Sequence, residues 1–374
     1  MSDTPLPLAL YVHYPWCVRK CPYCDFFSKA CGRDRSRDER YFRALLEDYE
    51  AQRRYLCGRK ILSVYFGGGT PSLCPPDLIG DFLSKIRPDL TADCEISMEA
   101  NPGTVDKKSL ELFKQAGVNR LSLGVQSFDD ESLKALGRIH DGAQARQALE
   151  AAFAAGFLNV NCDIMHGLPG QDVRRALDDL KIACSYPLTH LSWYELTLEE
   201  GTPFGFRPPV LPDEDTLADI EELGFLVMSD HGFARYEVSA FARNGLKCAH
   251  NLNYWRFGDY LGLGAGASGK VFFKGRTLRR ACPEDPEAYI QGSRGAYHET
   301  AKHSLPFEFM LNRLRLFEDF KKSDFEKAAA LPFSAVEGTL RQCEEEGLIT
   351  LHEDSVAVTA FGRRMLNDVL EKFL

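Results

Sequence analysis

No stretch of this chain approaches the ~18 to 20 consecutive apolar residues that a membrane-crossing helix requires. The opening segment MSDTPLPLALYV also lacks the basic start and small-residue cleavage site of a secretory leader. The expected setting is therefore the cytoplasm. Basic charge is scarce too: 45 Lys and Arg against 54 Asp and Glu leave a formal net charge of -9. Such a surface offers no electrostatic footprint for a polyanion, so nucleic acid is not expected as a partner. Nor is any segment poor enough in apolar residues to stay unfolded, since hydrophobic residues make up 44% and charged residues 26% of the chain, an ordinary globular balance. At 374 residues, a prior of ~150 residues per domain suggests two domains, or one large barrel with an appendage.

Twelve cysteines are present, and nine of them (Cys31, Cys57, Cys74, Cys94, Cys162, Cys184, Cys248, Cys282 and Cys343) are scattered singly. A chain this long does not need disulfide stapling, and most of these read as small buried hydrophobes. The other three, Cys17, Cys21 and Cys24, crowd into WCVRKCPYCDF and call for chemistry.

From Leu8 to about Gly245, short apolar runs alternate with amphipathic helical stretches, the pattern of a parallel sheet with crossover helices. Strands are expected in LALYVHYP, ILSVYFGGG, DCEISMEANP, RLSLGVQS, LNVNCDIMHGLP and HLSWYELTL. In RLSLGVQS, Leu121, Leu123 and Val125 alternate with small or polar residues, which is period-2 patterning. The helix in DKKSLELFKQAG should stop at Gly117 in the left-handed conformation. The fold class expected is α/β, a partial or full (β/α) barrel, with RYEVSAF and DYLGLGAGAS after its six units. Gly67 to Thr70, Glu99, Asn101, Gln126 and Asp163 fall at C-terminal strand ends, the face on which such barrels build their sites. From about Leu305, helices followed by the hairpin-like GLITLHEDSVAVT suggest a small winged-helix-like α+β region. Glu344 to Glu346 lie where a DNA-reading helix would need basic side chains, so a packing or docking role is expected there. The organisation expected is a barrel over 1–245, a connecting segment over 246–304 and the C-terminal region over 305–374.

Three chemistries compete for the clustered thiols. A structural zinc site needs four ligands and would have to recruit His13 or a remote group. A thioredoxin-like pair in CPYC would leave Cys17 surplus. A [4Fe-4S] cluster held by three thiolates leaves one iron without a protein ligand, open to a small molecule. GAGASG at 264–269 fits the dinucleotide pattern GXGXXG, but the strand-like, basic KVFFKGRTLRR follows it where the motif requires a helix. It reads better as a glycine-rich strand end near the cofactor face.

CX3CX2C after the first barrel strand resembles the radical S-adenosylmethionine (SAM) superfamily. The resemblance implies that Cys17, Cys21 and Cys24 hold the cluster and that SAM fills the vacant iron, with reduction giving methionine and a 5'-deoxyadenosyl radical. It further implies that Gly68, Gly69 and Thr70 meet the amino-acid end of SAM, with Tyr11, Tyr23, Glu99, Gln126, Arg138 and Asp163 as the remaining cofactor contacts. Carboxylates and amides suit ribose hydroxyls, and a guanidinium suits a carboxylate. Over Leu10 to Gly269 the chain is similar to the oxygen-independent coproporphyrinogen III oxidase-like family. True oxidases of that family carry a cysteine two positions after the third and a long N-terminal extension; here Phe26 stands at that position and sixteen residues precede Cys17. The haem-chaperone branch instead has CDF and CXHNXXYW, and this chain reads KCAHNLNYW from Lys247 to Trp255.

Within that branch the resemblance implies His250 as a haem ligand, with Cys248 as the alternative, and Tyr254 and Trp255 against a porphyrin face. It implies haem delivery to haem proteins such as respiratory enzymes, and an electron donor to the cluster. Peripheral association with membrane complexes and a homodimer are both compatible with it. The alternative function is SAM-dependent oxidative decarboxylation of coproporphyrinogen III. The chain departs from the branch at Ala240, Tyr14 and His166; the last is expected beside the SAM face.

Overall fold

In the computed structural model, which describes residues 6–374, strand alternation decides the architecture; residues 1–5 of the segment expected over 1–245 lie outside the described residues. Six strands follow one another in parallel: β1 (Leu8–Tyr14), β2 (Ile61–Gly68), β3 (Leu90–Ala100), β4 (Arg120–Gln126), β5 (Asn159–His166) and β6 (His190–Glu195). On β4, Leu121, Leu123 and Val125 are fully buried in the main apolar core, while Ser122, Gly124 and Gln126 line a cavity on the opposite face. One face of each strand thus packs outward and the other is left for chemistry.

The crossover helices start and stop where local chemistry dictates. Asp106 caps Lys107–Gln115 in a reciprocal capping box with Ser109, satisfying two otherwise free N–H groups. After that helix Gly117 turns at φ +112°, as its sequence position predicts.

Beyond β6 the chain makes β7 (Ala234–Glu237) and β8 (Ala240–Ala242), the latter antiparallel to β6. It then crosses to the far side of β1, where β9 (Asp259–Leu263) pairs in parallel, followed by antiparallel β10 (Ser268–Phe273), β11 (Arg276–Ala281) and β12 (His298–Glu299). The strand order is β12-β11-β10-β9-β1-β2-β3-β4-β5-β6-β8-β7. Its two ends, β12 and β7, are not paired with each other, so the barrel is partial and open. Residues 246–304 supply four strands to the same sheet, and the sheet continues across residue 245. Glycines of the GAGASG stretch run against the first barrel strand and its following loop. A Cβ on Gly264 would lie 2.4 Å from the His13 carbonyl oxygen, and one on Gly266 would lie 2.7 Å from the Phe27 ring.

The C-terminal region has its own core around Phe309, Phe325, Val336, Leu340 and Val369. Helix Leu305–Arg313, strand Phe320–Lys321, helices Lys322–Ala329 and Ser334–Glu345, and the hairpin Ile349–Leu351 with Ser355–Val358 follow in winged-helix order. The hairpin and Phe320–Lys321 form a three-stranded sheet. No helix among the described residues is long and apolar enough to cross a membrane.

Candidate functional site

The three clustered cysteines occupy the loop after β1, at the C-terminal end of the barrel. A short parallel pairing of Trp16–Cys17 with Lys29–Ala30 ties its two ends, and the Cys24 N–H donates to the Cys21 carbonyl at 3.2 Å. His13 clamps the loop to the barrel. Its Nε2 lies 2.9 Å from the Phe27 carbonyl, which can only accept, so Nδ1 accepts from the Tyr11 hydroxyl at 3.0 Å. Burial holds the His13 pKa below its ordinary value, in keeping with a neutral ring.

All three cysteines are free thiols, Cys17 buried and Cys21 and Cys24 half-buried. Burial pushes the Cys17 and Cys24 thiols up, so a thiolate there is held only by a cation. Among the described residues no three His, Cys, Asp or Glu side chains gather around a point where one metal ion could sit. A cubane makes a different demand, because each thiolate holds a different iron. A single short loop with three separate thiols suits that demand.

Arg138 approaches the loop from below, its Nη1 3.6 Å from Cys21 Sγ and its Nη2 2.6 Å from the Gly124 carbonyl. Arg19 on the loop returns the contact by donating to the Arg138 carbonyl at 2.6 Å and to the Gly137 carbonyl.

Beneath Cys24 a cavity of about 410 Å³ opens into the barrel. It brings together Tyr23, Gly68, Gly69, Thr70, Glu99, Gln126, Arg138 and Asp163, eight of the nine residues named for SAM. Glu99 accepts from the Tyr65 hydroxyl at 3.0 Å and the Gly68 N–H at 3.3 Å. Burial, with nearby Asp163, pushes its carboxyl up to about 7. Gln126 takes a positive φ of +71°, at an irregularity of register between β4 and β5, and its Oε1 accepts from the Tyr194 hydroxyl at 2.7 Å. A non-glycine residue held there stores strain, which concentrates at ligand sites. Acceptors at Glu99 and Asp163 and the donors of Arg138 and Gln126 fit a molecule carrying hydroxyls, an amine and a carboxylate. Orphaned buried Arg138 Nε adds a donor still free for such a ligand.

The glycines of the β2 turn line this cavity and also answer a packing demand: a Cβ on Gly68 would fall 2.6 Å from the His13 ring, and one on Gly69 2.5 Å from the Trp16 carbonyl oxygen. The geometry departs from the sequence reading at three points. Tyr11 faces a second cavity and serves His13. His166, expected at the SAM face, is buried with its ring 4.3 Å from that of Trp193 and does not line the cavity. On β5 it is the neighbouring Met165 that faces inward, because side chains alternate.

The third is His250, expected as the haem ligand, which sits inside the protein wall. Its Nδ1 lies 3.0 Å from Ser63 Oγ and its Nε2 2.9 Å from the Tyr254 hydroxyl, with Tyr65 stacked at 4.9 Å. Burial and the charge of Arg120 pull its pKa down to about 3. Both nitrogens are engaged, so here it is a hydrogen-bonded core residue that positions Tyr254. Cys248, the alternative ligand, is also buried, donating toward Glu95 at 3.6 Å.

The second cavity, about 530 Å³, adjoins the cluster loop and shares Asp25 and Phe26 with the first. Tyr11, Phe26, Phe27, Tyr254, Trp255 and Tyr260 give it aromatic walls, and Arg279, paired with Glu308 at 2.8 Å, lines it with a guanidinium that an acidic group would have to share. Tyr254 and Trp255 were legible in the sequence; Tyr260, brought in a few residues later by β9, and Arg279, brought by β11, were not. Sequence reading also missed Ser122, Asn161 and Ser192 on the floor of the first cavity. The alternation of polar residues through otherwise apolar strands was the available signal for those.

Fold and site together define the class. The Radical SAM superfamily profile matches residues 11–183, and the HemN C-terminal domain profile matches residues 301–365. At the level of fold, the chain is similar to the solved coproporphyrinogen III oxidase HemN of Escherichia coli, with TM-score 0.80 and 22% identity over 99% of this chain and 90% of that one. It is 44% identical to the heme chaperone HemW of Escherichia coli K12, and 44% identical to that of Haemophilus influenzae, in each case over 98% of both chains. The chain belongs to the HemW family of radical SAM proteins.

Proposed function

We propose that this protein binds haem and hands it to haem proteins, such as respiratory enzymes, and that a [4Fe-4S] cluster on Cys17, Cys21 and Cys24 with SAM beside it accompanies that transfer. The cluster, when present and reduced by an electron donor, supplies one-electron chemistry toward SAM. Tyr23, Thr70, Glu99, Gln126, Arg138 and Asp163 orient the cofactor, and Tyr194 and Tyr65 hold Gln126 and Glu99 in place. Neutral His13 fixes the loop without competing for metal.

The observation that carries the haem reading is the aromatic cavity beside the cluster loop. Phe26 stands on its rim with 62% of its surface exposed, where a true oxidase of the wider family would carry a cysteine. A planar, largely apolar ring with acidic side arms is met by stacking surfaces and a guanidinium. In this reading Tyr254 and Trp255 contact the porphyrin and His250 acts through Tyr254.

The test is a haemin titration of anaerobically prepared protein, followed in the Soret region. Trp255→Ala should weaken binding by about tenfold, as loss of one buried aromatic contact does. His250→Ala should leave the band position unchanged. A Soret band shifted or abolished by His250→Ala but indifferent to Trp255→Ala would restore His250 as ligand and remove the cavity. Incubation with SAM, reductant and coproporphyrinogen III should yield no protoporphyrinogen; its appearance would make the protein an oxidase.

A further inference from the structure

Arg120 opens β4 at the deep end of the first cavity. It is 2% exposed, yet among the described residues its guanidinium makes no hydrogen bond and no ion pair, and its Nε is orphaned. Its side chain lines the cavity. Glu95, one of the acidic groups around it, is engaged elsewhere: it accepts from the backbone N–H groups of Ala249 at 3.0 Å and His250 at 3.2 Å, and from the Ser97 hydroxyl at 3.1 Å. That carboxylate therefore caps the helix Ala249–Trp255. Its charge is balanced through space by Glu95 and Asp163 rather than by a direct contact, and five donors in a planar fork ask for a planar anion.

The other groups on the cavity floor are already knitted together. Asn161 Nδ2 donates to Ser122 Oγ and Asp163 Oδ1, both at 2.7 Å, and Asn161 Oδ1 lies 2.6 Å from His190 Nδ1. His190 in turn reaches the Tyr236 hydroxyl at 2.8 Å. Of the floor groups Arg120 is the one left over, as Arg138 Nε is nearer the cluster loop, and a ligand can supply what it lacks.

We propose that Arg120 anchors the carboxylate of a second ligand, which lies in the barrel beneath the SAM position. A carboxylate suits the fork bidentately. Phosphate fits less well, because Glu99 and Asp163 line the same cavity and would repel a dianion. The carboxylate belongs either to a small free acid or to a propionate arm of a tetrapyrrole. The proposal rests on the SAM reading only for what lies above this ligand.

The experiment uses the full chain with its cluster reconstituted under anaerobic conditions, as wild type, Arg120→Met and Arg120→Lys. Thermal melting is recorded alone and with sodium propionate, inorganic phosphate, haemin and haemin dimethyl ester. Without ligand, Arg120→Met should melt close to wild type, since no direct hydrogen bond or ion pair is lost and an apolar chain of similar shape takes the place of the guanidinium. Carboxylate binding should weaken about 10- to 100-fold in Arg120→Met and less in Arg120→Lys. Dependence on Arg120 for propionate identifies a small acid. Dependence for haemin, and none for its ester, identifies the tetrapyrrole arm.

The proposal is overturned if Arg120→Met melts below wild type while every probe binds unchanged, if phosphate depends on Arg120 more than any carboxylate does, or if only SAM affinity falls. Wild-type protein that takes up no SAM yet keeps the Arg120-dependent carboxylate effect would remove the cofactor reading and leave this one standing.

Discussion

Two side chains in the first cavity carry pH and strain signatures that can be measured one residue at a time. The Glu99 carboxyl is raised from an ordinary 4.5 to about 7 by burial and by Asp163. A carboxyl raised on folding favours the folded state fully below its unfolded pKa, and that contribution is lost as pH rises toward the folded pKa. Ligand-free protein should therefore lose melting temperature between about pH 4.5 and pH 7, and Glu99→Gln should flatten that decline. An unchanged slope in the variant would mean the carboxyl is not held in this state. Gln126 provides the second case. Gln126→Gly relieves a positive φ of +71° and removes the amide that Tyr194 fixes, so melting should hold or rise by up to ~1 kcal/mol of stability while SAM affinity drops about tenfold. Equal loss of both would make Gln126 a structural residue.

At the level of elements, the site depends on how tightly β1, the β2 turn and the cluster loop are pressed together. Gly68 sits at φ +108° with the His13 ring 2.6 Å from any added Cβ. Gly68→Ala should cost about 2–4 kcal/mol by combining left-handed strain with overpacking, read as a lowered denaturation midpoint, and should loosen the cluster loop through His13. Much of this layer was legible in the sequence. The alternation of Leu121, Leu123 and Val125 with Ser122, Gly124 and Gln126 announced which face of β4 would be wet, and strand ends announced where the site would form. Other features were not. A motif such as KCAHNLNYW shows which residues cluster but not which face of a helix each occupies, so His250 and Trp255 could not be sorted into core and cavity wall. Pairing of β9 with β1 joins residues about 250 positions apart, Leu8 with Asp259, and nothing local encodes it. Arg120 was unreadable for a related reason: an arginine at the start of a strand looks like a solvated end until the neighbouring strands are placed around it.

For the molecule as a whole, the open barrel gives two adjoining chambers with different chemistry. One is polar, lined by Glu99, Asp163, Arg120 and Arg138; the other is aromatic. Asp25 and Phe26, directly after the third cysteine, form the wall they share. A carrier that couples haem to a cluster and its cofactor gains from that adjacency, because a change in the loop reaches both chambers. The winged-helix-like region docks at the aromatic side: Phe257 from the segment before β9 joins its core, and Arg256 donates to Glu318 at 2.8 Å. Haem transfer accompanied by SAM requires the three thiols to hold iron. Metal and acid-labile sulfide analysis after anaerobic reconstitution tests this most directly. About four iron and four sulfide per chain are expected, lost when Cys17, Cys21 and Cys24 are together replaced by alanine; colourless protein, or one zinc and no sulfide, would contradict an iron-sulfur centre on this loop.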